Sequence, residues 1–263
     1  MKGTILEKII EAKRGRVETA KRQTDLVTLK ERARSARSNA KPHRLRNALS
    51  NDLRLNIIAE IKRASPSKGV INADIDVAQT ALNYAAGGAC AISVLTDEDF
   101  FKGSLYDLIR VRKNVDVPVL RKDFIVDEFQ IFEAADAGAD AVLLIVTALT
   151  KEQLRAFRTL AEDDLGLDAL VEVHTGEELK IASEIGARLI GVNNRDLKTF
   201  DVSLDVSRQL VKNKPSGSLM VAESGIVSRE EMIELRSLGF DGFLVGETLM
   251  RSRDPREVLE AWV

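Results

Sequence analysis

From residue 55 onward the chain alternates between eight short apolar runs and longer amphipathic stretches, and few folds accommodate that pattern. The runs are LNIIAEI (55–61), CAISVL (90–95), PVLRK (118–122), DAVLLIV (140–146), ALVEV (169–173), LIGVNN (189–194), LMVAES (219–224) and GFLVGE (242–247). They are rich in Val, Ile and Leu, as strands buried on both faces must be. The intervening DIDVAQTALNYAAGG (74–88), DEFQIFEAADAGA (127–139), TKEQLRAFRTLAEDDLG (150–166) and SREEMIELRSLGF (228–240) read as helices, with Asp, Ser or Thr near the start and Gly near the end. The runs end near Glu60, Leu95, Lys122, Val146, Glu172, Asn193, Glu223 and Gly246, which lie 21 to 35 residues apart. Eight strand–helix units of that size predict a closed (β/α)8 barrel from about residue 50 to the end. The glycine punctuation agrees, since AGGACA, AGADAV, IGARLI and LGFDGF each precede a run. An open doubly wound sheet is the competing fold. It calls for a GxGxxG turn after the first strand, and none is present.

The first fifth of the chain reads as two extra helices outside the barrel, which divides the sequence into an extension (1–49) and a barrel (50–263) within one structural domain. Residues 1–50 hold 14 Lys and Arg against 5 Asp and Glu; with a whole-chain charge of −2, the remainder carries a surplus of eleven negative charges. A basic arm can bind nucleic acid. Here its charges are interleaved with Ile9, Ile10, Val17, Leu26 and Leu29 and lack aromatic stacking residues, so a solvated helical face, or a field that steers an anionic small molecule, is the expected role. Cys90 is the single cysteine, so no intrachain disulfide or cysteine metal cluster is available. No apolar run approaches the roughly 20 residues that span a bilayer, and MKGTILEKIIEAKRGR turns charged too soon for a secretory signal. A cytoplasmic, monomeric protein is the expectation.

In such barrels the working site lies at the carboxyl ends of the strands. Five of the eight runs carry ionisable or amide groups there: Glu60 and Lys62, Lys122 and Asp123, Glu172, Asn193 and Arg195, Glu223 and Ser224. An ion-pair network that merely plugs the barrel mouth is the alternative for any one of them. Recurrence at five strands favours catalysis, because neighbouring charges push pKa values apart and let acid and base coexist near neutral pH. His43 lies in the arm, and His174, just past a run, reads as a surface residue. Glycines after runs seven and eight, Gly225 in AESGI and Gly246 in VGETLM, suit backbone N–H capture of a phosphate, with Ser228 as a helix cap; both are otherwise simple tight turns. The KRASPSKG loop (62–69) reads as a mobile, anion-seeking lid bearing Lys62, Arg63 and Lys68.

IAEIKRASPSKG (58–69), SVLTDEDFFKGS (93–104), PVLRKDFIVDEFQI (118–131), LVEVHT (170–175), IGVNNRDL (190–197), VAESGI (221–226) and FLVGETLMR (243–251) together resemble the indole-3-glycerol-phosphate synthases, in order and over essentially the whole chain. The resemblance implies a lyase of tryptophan biosynthesis that needs no metal or cofactor. It would convert 1-(2-carboxyphenylamino)-1-deoxyribulose 5-phosphate into indole-3-glycerol phosphate, water and carbon dioxide. It also implies roles. Lys122 would be the general acid of ring closure, and Glu172 the base of the later dehydration, with Glu60 in support. Lys62 would engage the substrate carboxylate. Asn193, Glu223 and Ser224 would hold the ribulose chain, and Arg195 would lie at the binding site. Ser65, Gly225, Gly246 and the backbone of Glu247 would hold phosphate, while Leu95, Phe101, Phe124 and Leu143 would form an apolar slot for the aromatic ring. Glu247 stands where some relatives have serine, so its side chain should point away from phosphate. Phosphoribosylanthranilate isomerase, a related barrel, would want a cysteine after strand one and an aspartate near strand six; Cys90 opens strand two, and Asp196 alone is not enough. A non-catalytic binding protein would be expected to lose Lys122 or Glu172. The implied partner is the anionic substrate alone, without nucleic acid or membrane.

Overall fold

The computed structural model describes residues 4–197 and 199–263; the first three residues of the extension lie outside the described residues. Eight parallel strands close into a barrel: β1 Ile57–Ile61, β2 Ala91–Leu95, β3 Val119–Lys122, β4 Ala141–Ile145, β5 Asp168–Val173, β6 Leu189–Asn193, β7 Leu219–Glu223 and β8 Gly242–Val245. Each pairs with its neighbours in sequence, and β1 closes the ring against β8 and β2. No described helix is long and apolar enough to cross a membrane.

Strand parity sorts the side chains. Ile57, Ala59 and Ile61 face the surrounding helices, whereas Ile58 joins Leu120, Ala141, Leu143, Ile145, Leu170, Leu189, Val221 and Leu244 in the interior. Because alternate residues share a face, the inward positions nearest the carboxyl ends are Glu60, Leu95, Lys122, Ile145, Glu172, Asn193 and Glu223. Val146, expected as the fourth strand's end, belongs to the outer cluster and starts a short 3-10 turn; Ile145 takes the inward place.

The expected helices form where their caps stand. Asp76 caps α4 (Val77–Ala86), Asp127 caps α6 (Glu128–Asp136), Thr150 caps α7 (Lys151–Thr159), and Ser228 makes a capping box with Glu231 at α10 (Arg229–Leu238), which ends at Gly239 in the left-handed region. α5 (Leu105–Asn114), α8 (Gly176–Glu184) and α9 (Asp205–Leu210) complete the outer layer with α11 (Glu247–Arg251) and α12 (Pro255–Trp262).

Among the described residues the extension has three helices rather than two: α1 Ile5–Gln23, α2 Leu26–Arg37 and α3 Arg44–Leu49. α1 reaches the carboxyl-end rim, α2 packs along α6, and α3 drives Leu45 and Leu49 into the barrel's opposite end. Six residues are too few for periodicity to reveal α3. What fixes it is tertiary: Asp168 accepts the Arg46 N–H at 2.9 Å, and Asn56 Nδ2 donates to the carbonyls of Leu49, Asn51 and Asp241. The arm's positive charge is largely spent on the barrel's negative charge. Arg16 pairs with Glu98 and Asp99, Lys21 with Asp127, Lys30 with Glu128, Arg32 with Asp136, and Arg37 and Arg44 with Asp140. The KRASPSKG segment is likewise more structured than its composition suggests. Ala64–Ser65 and Gly69–Val70 form a small antiparallel pair, and Arg63 is turned away to Asp107 at 2.5 and 3.0 Å.

Candidate active site

All sixteen residues to which the family resemblance gives a role line one cavity of about 1460 Å³ at the carboxyl ends of the strands, whereas Arg63 and Ser228 lie outside it. At its floor Lys122 Nζ lies 2.9 Å from Glu172 Oε2 and 2.7 Å from Glu223 Oε2. Burial opposes the ammonium, but Glu172, Glu223 and Glu60 outweigh it and raise the Lys122 pKa above the usual lysine range. Burial also pushes Glu172 upward, yet Lys122 and His174 hold it well below the carboxylate range. Glu223 moves the other way, because burial and the nearby negative charge of Glu172 and Glu60 exceed the pull of Lys122. Two carboxylates on one lysine are thus driven apart, one strongly ionised and one prone to hold a proton.

Glu60 and Lys62 form a second pair beside this cluster, with Nζ 2.7 Å from Oε1. Asn193 lies beside Glu172 and helps to hold it ionised, and its Oδ1 accepts the Arg195 N–H at 3.1 Å. Arg195 reaches across to Ser67 Oγ at 3.4 Å and the Phe200 carbonyl at 3.1 Å, tying the loop after β6 to the loop after β1. Ser65, Pro66 and Ser67 of that loop line the same cavity.

One wall is apolar. Leu95, Leu143, Phe101 and Phe124 line it, with the two rings 6.0 Å apart and tilted by 37°. Leu6 and Ile9 of α1 complete it, so the extension is part of the wall and not only a cover. Lys13 fixes the arrangement. It sits on the buried stripe of α1, 3.0 Å from Asp97 and 2.7 Å from Asp123. Asp97 accepts the N–H groups of Phe100 and Phe101, and Asp123 that of Phe124. One buried lysine therefore anchors both loops that carry the rings. A lysine within a run of Leu6, Ile9, Ile10 and Val17 at helical spacing is the sequence signal for it.

The other wall is built from turns. Ser224 and Gly225 both adopt positive φ, 66° and 81°, reversing the chain as it leaves β7. Glu247 opens α11, and its Oε1 lies 3.1 Å from Arg251 Nε and 3.8 Å from Lys68 Nζ, so its carboxylate is engaged by two cations. Beyond Arg251 the cavity runs as a groove past Arg253 to Trp262 on α12, which explains a volume above the roughly 300–1,000 Å³ of a single small-ligand pocket.

Two further residues serve the site from behind. Asn194 is buried and donates to the carbonyls of Glu223 and Ser224 while accepting the Ser207 N–H. Gly191, opposite Glu172 across the β5–β6 register, leaves the space that Glu223 fills; a Cβ there would lie 2.0 Å from Glu223 Oε1. A glycine inside an apolar strand is the signal. Gly191→Ala is expected to displace Glu223 from Lys122, costing about 1–3 kcal/mol of stability and at least tenfold in turnover. Melting temperature and steady-state rate check it. Neither histidine lines the cavity. His43 donates from Nδ1 to the Leu167 carbonyl at the lower end, and His174 stands behind Glu172 rather than at the surface. Cys90 is buried with Leu45 and Leu49 at the end away from the cavity.

A closed parallel barrel with an acid–base cluster, an apolar slot and glycine turns at its carboxyl rim defines an enzyme of the (β/α)8 class. Residues 6–261 match the family model for indole-3-glycerol phosphate synthase. The chain is 46% identical over 259 residues to the indole-3-glycerol phosphate synthase of Carboxydothermus hydrogenoformans, covering 97% of this chain and 98% of that one. It is 49% identical over 256 residues to that of Syntrophobacter fumaroxidans, covering 97% and 95%. It is also similar in fold to a thiamine phosphate pyrophosphorylase from Pyrococcus furiosus, at TM-score 0.60 and 20% identity over 82% of this chain and 94% of that one. The chain belongs to the indole-3-glycerol phosphate synthase family.

Proposed function

We propose that the protein closes the indole ring of 1-(2-carboxyphenylamino)-1-deoxyribulose 5-phosphate, releasing carbon dioxide and water to give indole-3-glycerol phosphate. The observation that carries the reading is Lys122 held between Glu172 and Glu223 at the floor of a cavity with one apolar and one glycine-rich wall.

The chemistry needs three things. An aryl carbon must attack a ketone, so a proton donor beside the carbonyl oxygen lowers the barrier; Lys122, held protonated and aimed by two carboxylates, takes that role. Loss of carbon dioxide from the attacking ring carbon then restores the ring's aromaticity. Dehydration finally removes the new hydroxyl and a proton from the neighbouring carbon. Glu172, the ionised member of the carboxylate pair, accepts that proton, with Glu60 in support. Lys62 meets the substrate carboxylate. Asn193, Glu223 and Ser224 orient the ribulose hydroxyls, and Arg195 closes the site from above. The ring stacks between Phe101, Phe124, Leu95 and Leu143. Phosphate lies at Ser65, Gly225, Gly246 and the Glu247 N–H, where backbone donors suit an anion and the Glu247 carboxylate is drawn off by Arg251. The reading is of a monomer in the cytoplasm acting on a free anionic small molecule, since one chain supplies every group named.

Supplying the carboxyphenylamino ribulose phosphate and following the rise of indole fluorescence tests this directly; no rise at any pH sinks it. The phosphate placement has its own test. Gly225→Val, strained at φ 81° and with a Cβ 2.4 Å from Val202 Cγ1, is expected to raise KM about tenfold or more with a smaller fall in kcat. Gly246→Val should also raise KM and lower kcat, because a Cβ there would stand 2.5 Å from Glu60 Oε1 and 3.1 Å from Lys62 Nζ. Unchanged KM in both variants places the phosphate elsewhere.

A further inference from the structure

Lys122 grips only one oxygen of Glu172. The other, Oε1, faces His174 Nε2 at 3.4 Å. His174 follows β5 directly and shares the inward parity of Glu172, yet it stands outside the cavity. Its ring is held from the far side. Nδ1 lies 3.3 Å from Glu178 Oε2, which also accepts the His174 backbone N–H at 2.6 Å, and Glu178 Oε1 accepts from Thr147 Oγ1 at 2.7 Å. Glu178 belongs to the first turn of α8, so the helix start fixes where the ring can sit. Nε2 itself is buried and makes no hydrogen bond. A buried ring nitrogen without a partner is costly, and a carboxylate oxygen a few tenths of an ångström beyond bonding distance is the group placed to satisfy it.

We infer that His174 is a positioning residue for Glu172, clamped by Glu178 so that its cationic ring orients the free oxygen of the base and keeps that carboxyl ionised. The inference rests on the reading of Glu172 as the base. The surrounding charges support it. Burial works against the imidazolium, but Glu178 and Glu172 outweigh burial and raise the His174 pKa above its ordinary value. The groups that face this pair are Glu172 on β5, Glu178 on α8, Glu223 on β7, Lys122 on β3 through the other oxygen of Glu172, Asn193 on β6, and Thr147 after β4. Of the two cations, His174 is the one outside the cavity, so it can hold Glu172 ionised without occupying substrate space.

The sign follows from the charge. A positive ring favours the carboxylate form of Glu172; a neutral side chain at 174 lets its pKa rise. In His174→Gln the acid limb of the kcat profile is therefore expected to move to higher pH by about one unit, with KM unchanged. Glu178→Gln, which releases the ring, should move it the same way by less. A merely structural histidine would lower kcat at every pH and leave the limb in place in both variants, and that result overturns the inference. A readout that needs no turnover is the NMR titration of the ring, simple to assign because the chain has only two histidines. The His174 pKa should drop in Glu172→Gln; an unchanged value also overturns the inference. Full activity of Glu172→Gln would instead remove the base reading, whatever the histidine titration shows.

Discussion

Lys122→Met is expected to lose about 10²–10⁴ in kcat, the usual worth of a positioned proton donor. The same change strips the cation from two buried carboxylates. Breaking a buried ion pair by removing one partner costs about 3–5 kcal/mol, and here Glu172 and Glu223 would then face each other as like charges. Glu223 already tends to hold a proton, so protonation of one carboxyl relieves the repulsion and the variant should remain folded at 25 °C with a lowered melting temperature. Lys122→Arg separates the two effects. It restores the positive charge, and with it much of the stability, but a guanidinium does not give up its proton, so turnover stays low. Circular dichroism, thermal melting and the fluorescence assay read the three quantities. Near-normal turnover in a folded Lys122→Met protein would remove Lys122 from the mechanism.

Glu172→Gln should be almost as damaging, with kcat down about 10²–10⁴ and KM within a few-fold of the parent. Glutamine keeps the shape and can still meet Lys122, so what is lost is basicity, used after the substrate is bound. A fall in kcat and kcat/KM together, with KM steady, marks a group that works in the transition state. The pH dependence carries the same message. Because Lys122 and His174 hold the Glu172 carboxyl below its ordinary range, the base remains ionised well into acid, and the parent enzyme's kcat should decline only when the pH falls toward that depressed value. Unchanged turnover in Glu172→Gln would leave Glu172 as a structural partner of Lys122.

The sequence by itself determined the barrel and its polar rim. Eight Val-, Ile- and Leu-rich runs at near-regular spacing are buried on both faces when helices cover a parallel sheet, eight such units without a GxGxxG turn favour closure into a barrel, and the period-2 geometry of a strand turns Glu60, Lys122, Glu172 and Glu223 to the same side without further information. Those regularities are local, so they are written in neighbouring residues. What only the tertiary structure decided comes from contacts between residues far apart in the chain. Lys13 is unremarkable in its helix until Asp97 and Asp123 meet it. Gly191 is a weak spot in a strand until Glu223, 32 residues on, needs its space. The basic arm is a run of charges with no stated partners until the fold sets its arginines and lysines against acidic groups on the barrel, and α3 is too short to announce itself before Asp168 and Asn56 hold it. His174 shows the same divide most sharply. Its position one residue beyond a strand suggests surface exposure, yet Glu172 and Glu178 flank its ring and raise its pKa against the effect of burial, because the energy of a titratable group depends on which charges the fold brings within a few ångströms and not on its neighbours in sequence.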